Sequence, residues 1–215
     1  MRNVRVFYKK RGALRFVSHL DMNRFMPRLL RRTSIPVWYT EGFNSHIYLN
    51  FALPLSLGFE SEYEAMDFKV TDDCFSNEMI FDELSAVCPE FIEIINVSEP
   101  IFKVGKISFA EFSICFEDNC EIAEPLNSFL SSGSILVQKK SKKGIMKEVE
   151  LADKINRFAI SEKEGTILKI VLSAGADNIN PSLLLTAFEK ELGRALPDYS
   201  VTRTMLYTEN MEKFI

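Results

Sequence analysis

The chain has 215 residues, 47% of them hydrophobic and 26% charged, with a net charge of −4. That balance fits one large folded domain or two small ones and excludes a disordered or collagen-like chain. There is no run of about 18 apolar residues to cross a membrane, and the N-terminal stretch MRNVRVFYKKRG lacks the apolar centre of a signal peptide; a cytoplasmic protein with no membrane partner is expected.

Residues 3–9 alternate, with Val4, Val6 and Tyr8 against Arg5, Phe7 and Lys9, which predicts a strand. A turn at Lys10-Arg11-Gly12 leads into an extended stretch over 13–17. Ser18 then opens a helix, because Ser18-His19-Leu20-Asp21 has capping-box spacing with Asp in place of the usual Glu. Leu20, Phe25, Met26, Leu29 and Leu30 give this helix an apolar face, and Pro27 inside it predicts a kink. A short strand over 37–40, a loop at 41–46 and extended chain over 48–53 follow. Residues 64–70 read as a strand, 73–87 as a helix with Met79, Ile80 and Leu84 inward, and 91–97 as a strand.

Beyond a linker at 99–106 a similar order returns. It comprises a strand over 107–117, a helix over 123–131, a strand over 135–140 and a basic turn at Lys142-Lys143-Gly144. Extended or irregular chain over 146–160, with a short helical piece near 151–155, precedes a strand over 166–173. A helix over 181–192 has Pro181 in its first turn and Gly193 after its last, and a strand over 201–208 closes the chain. The fold that buries these elements best is α+β. It consists of two tandem ferredoxin-like (βαββαβ) sandwiches over residues 1–100 and 107–215, each with two helices on one face of an antiparallel sheet.

Charge is unevenly spread. Residues 1–50 hold ten Lys or Arg against only Asp21 and Glu41, which leaves −12 for the remainder. Such a split points to a local anion site on an acidic body. Arg24, Arg28 and Arg31 lie four and three apart, on one side of the predicted helix, with Arg32 beside them. Like charges at that spacing repel by about a few tenths of a kcal/mol, and an anion that accepts fork-shaped hydrogen bonds relieves them. The competing expectation is a solvated face paired with acids from the rest of the chain. Lys9, Lys10, Arg11 and Arg15 add to the ligand reading. If the ligand is RNA, Trp38, Tyr39 or Phe43 can stack on unpaired bases, although Trp38 and Phe43 equally suit a core.

His19 falls in the first helical turn, where the helix dipole favours neutral imidazole. His46 follows Gly42 and Asn44 in a loop suited to positive φ. Were the loop to fold over the helix start, the two imidazoles would meet beside arginines, an arrangement suited to metal-free cleavage of RNA at a 2′-hydroxyl. The plainer reading is a pair of structural histidines. Cys74, Cys88, Cys115 and Cys120 form no C-x-x-C pair and both histidines lie far upstream, so no zinc or iron–sulfur site is expected on this chain. Glu60, Glu62, Glu64 and Asp67 form either a divalent-cation cluster or a solvated strand edge. The P-loop, dinucleotide, serine-hydrolase and H-E-x-x-H signatures are missing.

The run from Gly12 to Phe16, Ser18-His19-Leu20-Asp21, the Arg-rich helix, Glu41-Gly42-Phe43-Asn44-Ser45-His46, Phe51-Ala52-Leu53-Pro54-Leu55, then Gly58 and Glu60-Ser61 resembles a bacterial family of unknown function. Its members are described as radical-SAM-linked or radical-SAM-associated proteins. The resemblance implies a radical-SAM enzyme as partner, with the iron–sulfur cluster and S-adenosylmethionine on that partner and no cofactor here. This sequence has Ser45 where Pro is usual and Ile47-Tyr48 where Pro-Lys is usual, while Ser18, His19, Asp21, Arg24, Gly42, Asn44 and His46 keep the pattern. The expected function is an accessory protein that binds RNA, tRNA or rRNA, or presents a substrate, through the basic helix. Its ligand contacts would come from Arg15, Ser18, His19, Asp21, Arg24, Arg28 and Arg31, and from Gly42, Phe43, Asn44 and His46 of the loop. The alternatives are a metal-independent endoribonuclease using His19 and His46, and a protein-docking module without nucleic acid.

Overall fold

The computed structural model describes residues 1–117, 121–140, 146–162 and 165–215; Cys120 and the predicted turn at Lys142-Lys143-Gly144 lie outside them. The chain divides into two units, Met1–Ile107 with Arg203–Ile215, and Ser108–Thr202. The linker expected at 99–106 adjoins that division. The last stretch, expected with the second unit, packs with the first, because its partners are there. Arg203 binds Glu64, the Tyr63 hydroxyl donates to the Phe214 carbonyl at 2.8 Å, and the Arg5 guanidinium lies 4.2 Å over the Phe214 ring.

The first unit contains β1 (Arg2–Lys10), α1 (His19–Leu30), β2 (Leu49–Phe51), β3 (Glu60–Val70), α2 (Asn77–Val87) and β4 (Ile92–Ser98). The strands run β4-β1-β3, with β2 also on β3, and β1 is antiparallel to both of its neighbours. Val4, Val6 and Tyr8 sit opposite Phe68, Met66 and Glu64, so these side chains share one face. Met22, Met26, Leu29 and Leu30 of α1, with Ile80 and Leu84 of α2, join that face in one buried cluster.

Several local expectations shift. Residues 12–16 form a 3-10 turn rather than extended chain. Gly12 has φ +57°, and a Cβ there would lie 2.5 Å from the Phe91 ring. Residues 37–40 form only single bridges, Val37 to Val70 and Tyr39 to Ile47. Helix α1 runs unbroken through Pro27, and the Arg31 amide donates to the Pro27 carbonyl at 3.2 Å; the bond that Pro27 forfeits is the one to Asn23, an exposed residue. The buried stripe is 22, 26, 29 and 30, which turns Leu20 out to solvent. Met79 likewise points outward.

The second unit contains β5 (Ile107–Phe116), α3 (Ala123–Leu130), β6 (Leu136–Lys140), β7 (Met146–Glu150), β8 (Ile155–Ser161), β9 (Thr166–Ser173) and α4 (Pro181–Leu192). The last strand, β10 (Tyr199–Thr208), runs from this unit into the first. Strand β9 pairs antiparallel with β5 and β8, whereas β6 and β7 pair with each other in a separate two-stranded sheet. That hairpin departs from a simple repeat of the first unit. Asn180 caps α4 by accepting from the Ser182 amide at 3.0 Å. The class is mixed α+β with antiparallel pairing and four α-helices among the described residues. No helix among them is long and apolar enough to cross a membrane.

Candidate anion-binding groove

Helix α1 begins with a reciprocal cap. The Asp21 amide donates to Ser18 Oγ at 3.2 Å, and Ser18 Oγ donates to Asp21 Oδ2 at 2.7 Å. Asp21 is therefore largely committed, and its other oxygen is 3.4 Å from Arg24 Nη1. Arg28, Arg31 and Arg32 form no ion pair among the described residues.

Among the described residues the acidic remainder gives these arginines no carboxylate, and the acids of β3 and β4 have other partners. On β3, Asp67 binds Arg5 at 2.7 Å, Glu62 binds Arg11, Glu64 binds Arg203 at 2.5 Å, and Glu60 accepts from the Gly12 amide at 2.9 Å. Glu93 on β4 takes Lys9 at 2.8 Å. This corrects two expectations. The β3 acids form neither a cation cluster nor a merely solvated edge, and Lys9 and Arg11 are already paired.

Arg24, Arg28 and Arg31 form one wall of a groove of about 380 Å³, and His46 lies on the other. The loop 41–46 places that imidazole. Gly42 has φ +116°, a conformation L side chains rarely adopt. Buried Ile47 bridges to Tyr39 and anchors the loop's far end. His46 Nδ1 lies 3.0 Å from the Asn44 carbonyl and 3.1 Å from Thr40 Oγ1. A carbonyl only accepts, so the Asn44 contact calls for the tautomer with its hydrogen on Nδ1, in which Nε2 is an acceptor. At the loop tip Phe43 is fully exposed.

Other predicted site residues lie elsewhere. Lys69 Nζ sits 4.7 Å over the Trp38 ring and 5.1 Å over Tyr48, so its ammonium occupies one face of each ring and the faces of Phe43 are left for stacking. Arg15 stacks on Phe16 at 4.8 Å and is not a groove residue. His19 meets Phe51 edge-on at 5.2 Å; burial pushes its pKa below the ordinary histidine value. It does not line the groove that holds His46, so the groove does not unite the two imidazoles.

Below His19 the sheet carries a polar centre that sequence reasoning missed. Lys10 is 3% exposed and donates to the Val17 carbonyl at 3.0 Å, and burial lowers its pKa. Burial, and then Glu64, raise the pKa of Tyr8. Arg203 gives two bonds to Glu64 and one each to the Leu53 and Pro54 carbonyls. The available signal was Arg203 itself, which follows Val201 at the inward phase of an alternating strand. Among the described residues no set of three or more His, Cys, Asp or Glu is placed to hold a metal ion.

Fold and site together define an α+β protein with an unneutralised guanidinium groove. Residues 3–181 match the family described as "Uncharacterized protein conserved in bacteria (DUF2344)", and the chain belongs to that family. No curated protein matches it. Among solved structures it is similar to a chain of "Crystal Structure of a Cbf5-Nop10-Gar1 Complex", with 9% identity and a TM-score of 0.50 over 95% of this chain and 50% of that one. The chain thus spans about half the length of that relative, and the likeness is one of fold alone. A second, "Crystal Structure of an Unknown Protein from Galdieria sulphuraria", has 13% identity and a TM-score of 0.27 over 94% and 98% of the two chains.

Proposed function

We propose that this chain is an RNA-binding accessory protein that holds its ligand's phosphates on α1 and works beside a partner enzyme. The observation that carries the reading is the groove wall. Three arginines line it, and among the described residues Arg28 and Arg31 have no carboxylate partner and Arg24 has a 3.4 Å contact to Asp21. Phosphate is the anion best matched to several forks at once. The sequence resemblance supports a radical-SAM enzyme as the partner, with the iron–sulfur cluster and S-adenosylmethionine on that protein. The fold relative comes from a three-protein complex, and a partner role for this chain is part of the same proposal.

The test is binding of a structured RNA over a series of salt concentrations. Wild type should lose affinity steeply with salt. Arg24→Ala/Arg28→Ala/Arg31→Ala should flatten the slope of log K against log salt by about 2 to 3, near one unit for each phosphate no longer neutralised. A triple variant that binds as tightly as wild type at every salt concentration removes the proposal.

A further inference from the structure

The groove offers more than charge. Beside the arginines and His46 it is also lined by Pro27, Ile47 and Leu49. A bare inorganic anion has no use for apolar lining, whereas the sugar of a nucleotide packs against it. Phe43 stands only three positions before His46, on the same loop, with its ring fully in solvent. Paired bases inside a duplex stack on one another and leave no face for Phe43. A single strand presents free faces to an exposed aromatic.

His46 narrows the ligand further. Its Nδ1–H is spent on the Asn44 carbonyl, so its Nε2 is an acceptor in search of a donor. Phosphate oxygens only accept and cannot serve this tautomer. Deoxyribose carries no hydroxyl beside the phosphate, but ribose does, and the 2′-hydroxyl both donates and accepts.

Resting on the nucleic-acid reading above, we propose that the groove selects single-stranded RNA over DNA and over duplex. Successive phosphates lie along Arg24, Arg28 and Arg31, the ribose between them covers Pro27 and Leu49, its 2′-hydroxyl donates to His46 Nε2, and a neighbouring base stacks on Phe43. His46 is then the residue that tells the two sugars apart, and Phe43 the one that tells single strand from duplex.

The experiment is fluorescence anisotropy with three labelled probes, namely a short unstructured oligoribonucleotide, the deoxy strand of the same sequence and the RNA annealed to its complement. Wild type should bind the single-stranded RNA about fivefold tighter than the DNA, the worth of one net hydrogen bond. His46→Ala should bring RNA down to the DNA level and leave DNA unchanged. Phe43→Ala should weaken both single strands and leave the duplex unaffected. Both residues are exposed, so neither change threatens the fold. Equal wild-type affinity for RNA and DNA, or a His46→Ala loss shared by both, overturns the inference and leaves phosphate binding standing. Tighter binding of duplex than of single strand overturns it too. If no probe binds, or if the triple arginine variant binds all three as wild type does, the underlying RNA reading fails and takes the inference with it.

Discussion

Replacing Glu64 by Leu strands a guanidinium in the first unit. Arg203 is 2% exposed and Glu64 4%, and one carboxylate oxygen accepts from Arg203 Nη2 at 2.5 Å and Nε at 3.1 Å. Removing one member of such a pair costs about 3–5 kcal/mol, because the survivor stays buried without its counter-charge. Arg203→Leu should cost about as much and also frees the Leu53 and Pro54 carbonyls. In the double variant both charges are gone, and the residual loss is those carbonyls, about 1–3 kcal/mol, together with the support that Glu64 gives the buried Lys10 ammonium. The two single losses should therefore exceed the double loss by about 3 kcal/mol or more, at the upper end of measured coupling energies. Trp38 is the only tryptophan and sits in the first unit, so urea unfolding followed by its fluorescence reads this unit directly. A double variant as damaged as the sum of the singles would show that the two groups act independently, and the account of this buried pair would be wrong.

Two further outcomes follow from the same unit. Gly12→Ala must hold φ +57° and put its methyl against the Phe91 ring; the backbone alone costs about 1–2 kcal/mol, and Phe91→Ala in the same chain should recover part of the excess, whereas a Gly12→Ala chain as stable as wild type would refute the close approach. Burial lowers the His19 pKa, so the unfolded chain binds that proton more readily than the folded one. The stability His19 contributes is present above its ordinary pKa of about 6.5 and is lost as pH falls through its folded value. His19→Gln should show a smaller drop in urea midpoint on acidification than wild type, and identical drops would count against a half-buried imidazole.

The parts legible in the sequence are those set by local chemistry. The Ser18–Asp21 cap, the strand at β1 and the Pro181–Gly193 bracket around α4 each depend on residues a few positions apart, and the structure forms all three, although Arg5 and Phe7 on the second face of β1 are buried as well. What escaped depends on distant partners. Nothing local says that Arg203 will meet Glu64, or that the final stretch returns to the first unit. The helical phase of α1 is easily misread because Leu20 looks apolar, while Met22, Met26, Leu29 and Leu30 together set the buried stripe. The groove is half visible in the sequence. The arginine spacing marks one wall, but His46 joins it through loop geometry that only coordinates supply.

Two departures from helix rules coincide on one face of α1. Arg24, Arg28 and Arg31 repel at i, i+4 and i, i+3 spacing, and Pro27 removes a backbone bond in the helix interior, a change that costs about 3 kcal/mol in an ordinary helix. Sequences keep local costs where function requires them, and both costs meet in the groove, which the arginines and the proline line together. If that is why Pro27 is there, Pro27→Ala should raise stability by about 1–3 kcal/mol, by restoring the amide that reaches Asn23, and should weaken RNA binding through loss of the rigid apolar lining. A Pro27→Ala protein that is less stable than wild type would mean that the ring is kept for packing alone. The arginines would then be the only element of α1 shaped by a ligand.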